Sequence, residues 1–227
     1  MKISIIGAGN VGGLTAMRLA EAGFGEIVLA DIAGGLARGK ALDIEDSASV
    51  LRFNQSILGT DDVGVIRDSD IIVITAGFAR KPDMTREDLL NKNAGILKDV
   101  CLKIKEISPK SIVIVVTNPL DLMTYLALKI TGFKSSRVFG MGISLDTARF
   151  ANLISQELSV PYTDIEACVI GSHGEGMMPL PRLTTVRGVE LSELMQKEKI
   201  QAITKRTLER GLEIVSSLGS GSAYFAP

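Results

Sequence analysis

The chain has 227 residues, of which 46% are hydrophobic and 22% charged, and its 25 Lys and Arg nearly balance 26 Asp and Glu. A net charge of −1 argues against a nucleic-acid or membrane-surface protein, and 4% aromatic residues without Trp argue against base stacking. No apolar run approaches the roughly 20 residues of a membrane span. Cys101 and Cys168 lack metal-ligand spacing and resemble buried thiols. We therefore expect a cytoplasmic protein without a metal site.

Strand-like and helical segments alternate up to Gly140. The predicted strands are short Ile- and Val-rich runs: Ile3–Ile6, Ile27–Ala30, Gln55–Gly59, Ile71–Thr75, Ile112–Val116 and Arg137–Phe139. The predicted helices are Val11–Ala22, Leu36–Leu51, Arg86–Ile107 and Leu120–Ile130. Continuous β-branched runs indicate strands buried on both faces, and strand–helix alternation predicts right-handed crossovers. The predicted class is α/β, with a doubly wound parallel sheet of the Rossmann type.

After Gly140 the pattern changes. It predicts a helix over Ser144–Leu158, a strand over Ile165–Ile170, a loop over Gly171–Pro181, a hairpin around Arg187-Gly188 and a helix over Glu198–Leu218. We expect a Rossmann domain over residues 1–142 and a second, α+β substrate domain over 143–227. Because this second stretch is short for a domain, we expect it to be incomplete at the C-terminus.

A glycine loop follows the first predicted strand and opens the first predicted helix. It reads Gly7-Ala8-Gly9-Asn10-Val11-Gly12. Gly7 permits a tight turn, Gly9 lets the backbone approach a pyrophosphate, and Gly12 lets helix and strand pack closely. Asp31 ends the next strand, where a carboxylate binds the adenosine ribose and repels a 2′-phosphate. The loop and Asp31 predict NAD as cofactor, although Asp31 alone could be an ordinary turn residue.

Four segments in fixed order carry a resemblance to a known family. They are the glycine loop with Asp31, residues Thr75–Arg86, Val116-Thr117-Asn118-Pro119, and the pair Leu145–Arg149 with Gly171–Glu175. The chain resembles the lactate/malate dehydrogenase family, and within it the malate dehydrogenases of lactate-dehydrogenase-like type. The resemblance implies reversible, NAD-dependent oxidation of (S)-malate to oxaloacetate, a reaction of the tricarboxylic acid cycle. It also implies a dicarboxylate substrate and a homodimer or homotetramer.

The resemblance assigns proton transfer to His173, the only histidine of the sequence. In the family the matching histidine takes the malate hydroxyl proton as hydride leaves for NAD. An imidazole changes its charge between about pH 5 and 8, so it can work in both directions. Asp146 resembles the carboxylate that hydrogen-bonds this ring and fixes its tautomer. Taken alone, a histidine in a glycine-flanked loop would be interpreted as a solvated side chain.

The resemblance also assigns three arginines to the substrate. Arg149 resembles the clamp on the C1 carboxylate, and Arg86 resembles the arginine that polarises the reacting carbonyl. Arg80 resembles the residue that pairs with the second carboxylate of malate, where lactate-specific members have Gln. Without the resemblance, Arg80 and Arg86 would be interpreted as solvated loop charges. Asp83 departs from the family's glycine and adds a negative charge to this loop.

The remaining matched positions concern the cofactor. Asn118 matches an asparagine that touches both the nicotinamide ribose and the substrate, whereas Asn93 and the backbone of Val116 and Thr117 match cofactor contacts. Two alternatives stay open. The chain could be a dehydrogenase of another 2-hydroxy acid such as lactate, or a non-catalytic NAD-binding fragment.

Overall fold

The computed structural model describes residues 1–78, 85–174, 176–219, 221 and 224. The described chain divides into two compact units, and the division falls between Gly140 and Met141. Each unit has its own buried core. Within the described ranges, no helix is both long enough and apolar enough to span a membrane.

The first unit is a six-stranded parallel sheet with helices. Its elements in chain order are β1 (Lys2–Ile6), α1 (Asn10–Glu21), β2 (Glu26–Ala30), α2 (Gly34–Asp46), α3 (Ala48–Leu51), β3 (Ile57–Thr60), β4 (Ile71–Ile74), α4 (Arg86–Ile107), β5 (Ile112–Val115), α5 (Leu120–Thr131) and β6 (Val138–Gly140). Short 3-10 helices lie at Val63–Ile66 and Ser135–Arg137. The strand order is β3-β2-β1-β4-β5-β6. This is the doubly wound order of the Rossmann fold, so the predicted fold class is confirmed.

The sheet of the first unit is buried on both faces. Successive strand residues point to opposite sides, and in β4 the side chains of Ile72 and Ile74 join one apolar cluster while Val73 joins the other. Leu97 of α4 packs in the first cluster and Ala16 of α1 in the second. Complete burial of an Ile, Val or Leu side chain stabilises the fold by about 1.5–3 kcal/mol. Burial on both faces accounts for the continuous apolar runs in the sequence.

The strand register brings four strand ends to one edge of the sheet. Ile6 of β1 pairs with Ala30 of β2 and with Ile74 of β4, and Ile74 pairs with Val115 of β5. The loops after these strands therefore lie side by side. The strand order reverses between β1 and β4, and open α/β sheets bind ligands at such a point.

The second unit combines helices with short antiparallel strands. Its elements are α6 (Ile143–Leu158), β7 (Ile165–Glu166), β8 (Val169–Gly171), β9 (Met177–Pro179), β10 (Thr185–Val186), β11 (Val189–Glu190), α7 (Leu191–Leu194) and α8 (Lys197–Leu218). Short 3-10 helices lie at Tyr162–Asp164 and Pro181–Leu183. Strands β11, β10 and β7 form one sheet in that order, and β8 pairs with β9. Phe150 and Ile154 of α6 and Ile203 of α8 are buried in the core of this unit.

The structure corrects the predicted strand Ile165–Ile170. The segment is split into β7 and β8, which belong to different sheets. Between them the nitrogen of Cys168 donates to the Thr184 hydroxyl (3.2 Å) instead of to a neighbouring strand. The prediction of a loop over Gly171–Pro181 was also wrong in part, because β9 lies within it. Strands this short leave little alternation to detect.

The structure also corrects the predicted helix Leu36–Leu51. It is divided into α2 and α3 at Ser47, whose hydroxyl donates to the Ile44 carbonyl (2.6 Å). A serine hydroxyl that bonds the backbone three residues earlier competes with the helical pattern. The apolar periodicity carried on across this break and concealed it.

Candidate active site

The glycine loop of the first unit exposes backbone at the start of α1. Gly7 has φ +109°, and a Cβ there would lie 2.5 Å from the Ala76 nitrogen. A Cβ at Gly12 would lie 1.8 Å from the Gly7 carbonyl oxygen. At Gly9, by contrast, no described atom outside its chain neighbours lies within 4 Å of that position. The loop leaves room for a phosphate at the helix N-terminus, where backbone N–H groups and the helix dipole favour an anion.

Asp31 lies directly after β2 and is held by two backbone nitrogens. Its Oδ2 accepts from the Ala8 nitrogen (2.6 Å), and its Oδ1 accepts from the Ala33 nitrogen (2.9 Å). The residue is half-buried. A carboxylate has about four acceptor sites, so two remain for ligand hydroxyls. The open glycine loop and this fixed carboxylate fit the pyrophosphate and adenosine ribose of NAD.

Asn93 of α4 joins the loops that follow β4 and β5. Its side chain is buried, and its Oδ1 accepts from the Phe78 nitrogen (2.8 Å). Its Nδ2 donates to the carbonyls of Phe78 (3.3 Å) and Asn118 (2.7 Å). Both amide hydrogens are thus used within the protein, so Asn93 positions the two loops. Its direct contact with the cofactor stays a prediction.

The segment after β5 presents one exposed side chain. Thr117 is buried, and its hydroxyl donates to the Ala76 carbonyl (2.7 Å). The Val116 nitrogen donates to the Ile74 carbonyl (2.9 Å), which continues the pairing with β4. Asn118 is exposed at the ligand-binding edge of the sheet. Its contact with the substrate and the nicotinamide ribose stays a prediction.

His173 and Asp146 lie together in the second unit. Asp146 stands in the first turn of α6, and His173 stands in the connection between β8 and β9. His173 Nδ1 lies 2.7 Å from Asp146 Oδ2, and the Asp146 side chain is 0% exposed. Because an ionised carboxylate only accepts, Nδ1 is the donor and the neutral ring carries its lone pair on Nε2. This ring can take a proton at Nε2, with Asp146 stabilising the resulting imidazolium.

Arg149 shares the same carboxylate through its other oxygen. Its Nη1 donates to Asp146 Oδ1 (3.1 Å), and its side chain is 11% exposed. Burial lowers the pKa of Arg149, although Asp146 raises it, and nearby Arg210 lowers it further. The Arg149 Nε is buried without a hydrogen-bond partner among the described residues. A half-satisfied buried guanidinium is suited to binding a carboxylate.

Three residues of the predicted substrate loop are not among those that the structure describes in full. Arg80 and Asp83 lie outside the described residues, and Arg86 begins α4 with a side chain that is likewise outside them. Lys40 of α2 was not predicted as part of the site, and its Nζ donates to the Gly9 carbonyl (2.8 Å). No motif marks this lysine in the sequence. The part of the chain that the structure describes contains no group of three or more His, Cys, Asp and Glu side chains able to hold a metal ion.

Two family models cover most of the chain. Residues 1–140 match the model described as lactate/malate dehydrogenase, NAD binding domain. Residues 143–226 match the model described as lactate/malate dehydrogenase, alpha/beta C-terminal domain.

Individual proteins agree with these matches. The malate dehydrogenases of Methanosarcina acetivorans and Chlorobium limicola are 52% and 50% identical to this chain, and the matches cover 100% of the chain and 74% of each relative. A crystal structure of malate dehydrogenase from Plasmodium falciparum superposes with a TM-score of 0.95 at 39% identity, covering 100% of this chain and 74% of that one. A lactate dehydrogenase from Cryptosporidium parvum, complexed with lactic acid and NAD, gives 0.94 at 38% identity, covering 100% and 73%.

Proposed function

Because this chain belongs to the lactate/malate dehydrogenase family, we propose that it is an NAD-dependent malate dehydrogenase that interconverts (S)-malate and oxaloacetate. The observation that carries the proposal is the buried carboxylate of Asp146, which accepts from both His173 and Arg149. A base and a carboxylate-binding cation held by one anion are what oxidation of a 2-hydroxy acid requires.

His173 is the proposed general base. Its Nε2 takes the hydroxyl proton of malate, and it returns that proton when oxaloacetate is reduced. Asp146 holds the ring in one tautomer through Nδ1 and stabilises the imidazolium. NAD, when bound, supplies the acceptor for the hydride. General base catalysis of this kind typically contributes about 10²–10⁴ in rate.

The arginines are proposed to divide the substrate. Arg149 binds the C1 carboxylate through the edge of its guanidinium that Asp146 does not use. Arg86 polarises the reacting carbonyl, where negative charge develops in the transition state. Arg80 pairs with the second carboxylate, and Asn118 contacts substrate and nicotinamide ribose. The residues Gly7, Ala8, Gly9, Asn10, Val11, Gly12, Asp31, Asn93, Val116 and Thr117 are proposed to contact the cofactor.

The test is NADH oxidation with oxaloacetate by the purified chain and two variants. We expect His173→Asn and Asp146→Asn each to lower kcat by about 10²–10⁴ while NADH still binds. Asp164→Asn is the matched control, because Asp164 forms an ion pair with the exposed Arg187. If the wild-type chain is active and His173→Asn has the same kcat, His173 is not the base. NADH binding without any wild-type turnover would favour the non-catalytic NAD-binding alternative.

A second candidate, lactate dehydrogenase, is compatible with one observation. A lactate dehydrogenase superposes on this chain nearly as well as malate dehydrogenases do, so the backbone fold does not separate the two substrates. Arg80 is the proposed discriminator, because a cation left without its carboxylate disfavours pyruvate. We expect oxaloacetate to be preferred over pyruvate and Arg80→Gln to reduce that preference. A wild-type preference for pyruvate would contradict the proposed substrate.

We further propose a domain division at residues 1–142 and 143–227, a cytoplasmic location, a role in the tricarboxylic acid cycle and a homo-oligomer. Both cysteines are free, which is usual in a reducing compartment. We place Leu42 of α2 and Val50 of α3, two large apolar side chains that are exposed, in the proposed contact between copies. Sedimentation velocity tests the assembly. A purely monomeric species at micromolar concentration would contradict it.

A further inference from the structure

Lys40 connects α2 to the glycine loop. Its Nζ donates to the Gly9 carbonyl oxygen at 2.8 Å, and Gly9 is the residue of the loop with open space beside it. The Gly9 carbonyl also accepts from the Gly13 nitrogen (3.0 Å), so it belongs to the first turn of α1. Lys40 therefore fixes the start of α1, at the point where backbone N–H groups face the phosphates.

Gly13 makes room for this lysine. A Cβ at Gly13 would lie 2.9 Å from Lys40 Cδ and 3.2 Å from its Nζ, and the three nearest atoms all belong to Lys40. Gly12, its neighbour, faces the Gly7 carbonyl instead and belongs to the dinucleotide motif. Gly13 is outside that motif. A side chain at Gly13 would displace the end of the Lys40 side chain from this position.

Lys40 is also electrostatically linked to Asp31. Burial lowers the pKa of Lys40, and the Asp31 carboxylate acts in the opposite direction. Asp31 accepts from the Ala8 nitrogen while Lys40 donates to the carbonyl of the next residue, Gly9. Opposite charges thus hold two consecutive residues of the loop. An ammonium has three N–H donors, of which the Gly9 carbonyl uses one.

We propose that Asp31 and Lys40 act as a pair that selects the dinucleotide, with Lys40 as a positioning and specificity-determining residue for its adenosine half. The inference rests on the proposed function, since it assumes that NAD occupies this loop. Asp31 balances the ammonium and repels a 2′-phosphate. When the carboxylate is removed, Lys40 becomes the cation that binds a 2′-phosphate. Selectivity for NAD is therefore a property of the pair.

The test is a double-mutant cycle on the full chain, read as dissociation constants for NADH and NADPH by fluorescence titration. We expect Asp31→Ser to bind NADH more weakly than the wild type does. We expect it to bind NADPH more tightly, by roughly tenfold or more in dissociation constant, as one charge-assisted hydrogen bond allows. Asp31→Ser/Lys40→Met should lose that gain, and Asp31→Ser/Lys40→Arg should keep it. Asp31→Ser/Lys98→Met is the matched control, because Lys98 is an exposed lysine of α4.

The outcomes separate this inference from the proposed function. NADPH binding that is equally tight in Asp31→Ser with and without Lys40→Met overturns the inference, as does an Asp31→Ser chain that gains no NADPH affinity. Failure of the wild-type chain to bind NADH overturns the proposed function as well. Circular dichroism melts of all variants distinguish lost binding from lost folding. A uniform loss of affinity for both dinucleotides in Lys40→Met, without the coupling, would reduce Lys40 to a structural support.

Discussion

The proposed role of Arg149 needs the several planar N–H donors of a guanidinium, which lysine lacks. Its guanidinium uses Nη1 on Asp146 and keeps further donors for a substrate carboxylate. We expect Arg149→Lys to raise KM for oxaloacetate and to lower kcat/KM, because the fork geometry is lost. The expected loss of transition-state stabilisation is about 2–5 kcal/mol. Steady-state kinetics measures this. Arg187→Lys is the control, because the Arg187 side chain is 72% exposed. An unchanged kcat/KM in Arg149→Lys would remove Arg149 from the substrate site.

Cys101 is expected to be chemically inert in the folded protein. Burial raises the pKa of its thiol to about 12 from an ordinary value of 9.0. In Cys168→Ser we expect no rapid reaction with a disulfide reagent at pH 8, and one reactive thiol after unfolding in urea. The stabilisation that accompanies the raised pKa is complete below pH 9.0 and is lost as pH rises toward about 12. Rapid reaction of native Cys168→Ser would contradict the burial. Cys101→Ser, which keeps the less buried Cys168, is the matched control.

Some contacts of the site residues could be predicted from the sequence, and others could not. The family resemblance implied the hydrogen bond between Asp146 and His173, although 27 positions separate them. It did not reveal that the amide of Asn93 is occupied by Phe78 and Asn118, because motif matching identifies a residue but not its hydrogen-bond partners. Lys40 was overlooked for a related reason. Its role depends on α2 lying beside α1, which no local spacing encodes.

At the scale of elements, the start of α4 makes a specific stability prediction. Thr85 Oγ1 accepts from the Asp88 nitrogen (3.0 Å), and the Asp88 carboxylate accepts from the Thr85 nitrogen (3.2 Å), so the two form a capping box. We expect Thr85→Ala to lower the free energy of unfolding by about 1 kcal/mol in urea denaturation. Gln196→Ala is the control, because Gln196 caps α8 without a side-chain hydrogen bond. Equal effects of the two substitutions would contradict the capping argument.

The same cap predicts the direction of a pH effect. Hydrogen bonds from Thr85 lower the pKa of Asp88 below its ordinary value of 3.8. Their contribution is therefore present above pH 3.8 and is lost as pH falls through the lowered value. The difference between wild type and Thr85→Ala should stay constant from pH 8 to 5 and narrow only in more acidic solution. A difference that widens on acidification would show the opposite sign.

Helices and strands were predictable where a long apolar pattern met a clear end signal. The bounds of α4, Arg86–Ile107, follow the sequence pattern at both ends. Prediction failed where a single hydrogen bond or a partner far along the chain decided the structure. Ser47 divides a periodic helix, and β9 forms only because β8 lies beside it. Local periodicity contains neither piece of information.

At the scale of the molecule, NADH binding is expected to stabilise the first unit. The glycine loop and Asp31 belong to the first unit, so NADH binding should add to the stability of that unit. At a free concentration of 100 times Kd, we expect a gain of about 2.7 kcal/mol in free energy of unfolding, measured by thermal or urea denaturation. Reduced nicotinamide mononucleotide, which lacks the adenosine half, is the control ligand and is added at the same free concentration as NADH. Equal stabilisation by both ligands would contradict the role of Asp31 and the glycine loop.

Because the residue paired with Asp146 is the single histidine of the sequence, spectroscopy can follow it without signals from another histidine. Because the sequence has one histidine, a proton NMR spectrum of this protein contains the imidazole signals of the proposed catalytic base and of no other residue. No isotope label at a chosen site and no assignment by mutation is needed. The chemical shift of the ring protons against pH reports directly on the charge of this one side chain. The same resonance, followed as NADH and then a dicarboxylate are added, records how each ligand changes the surroundings of the ring.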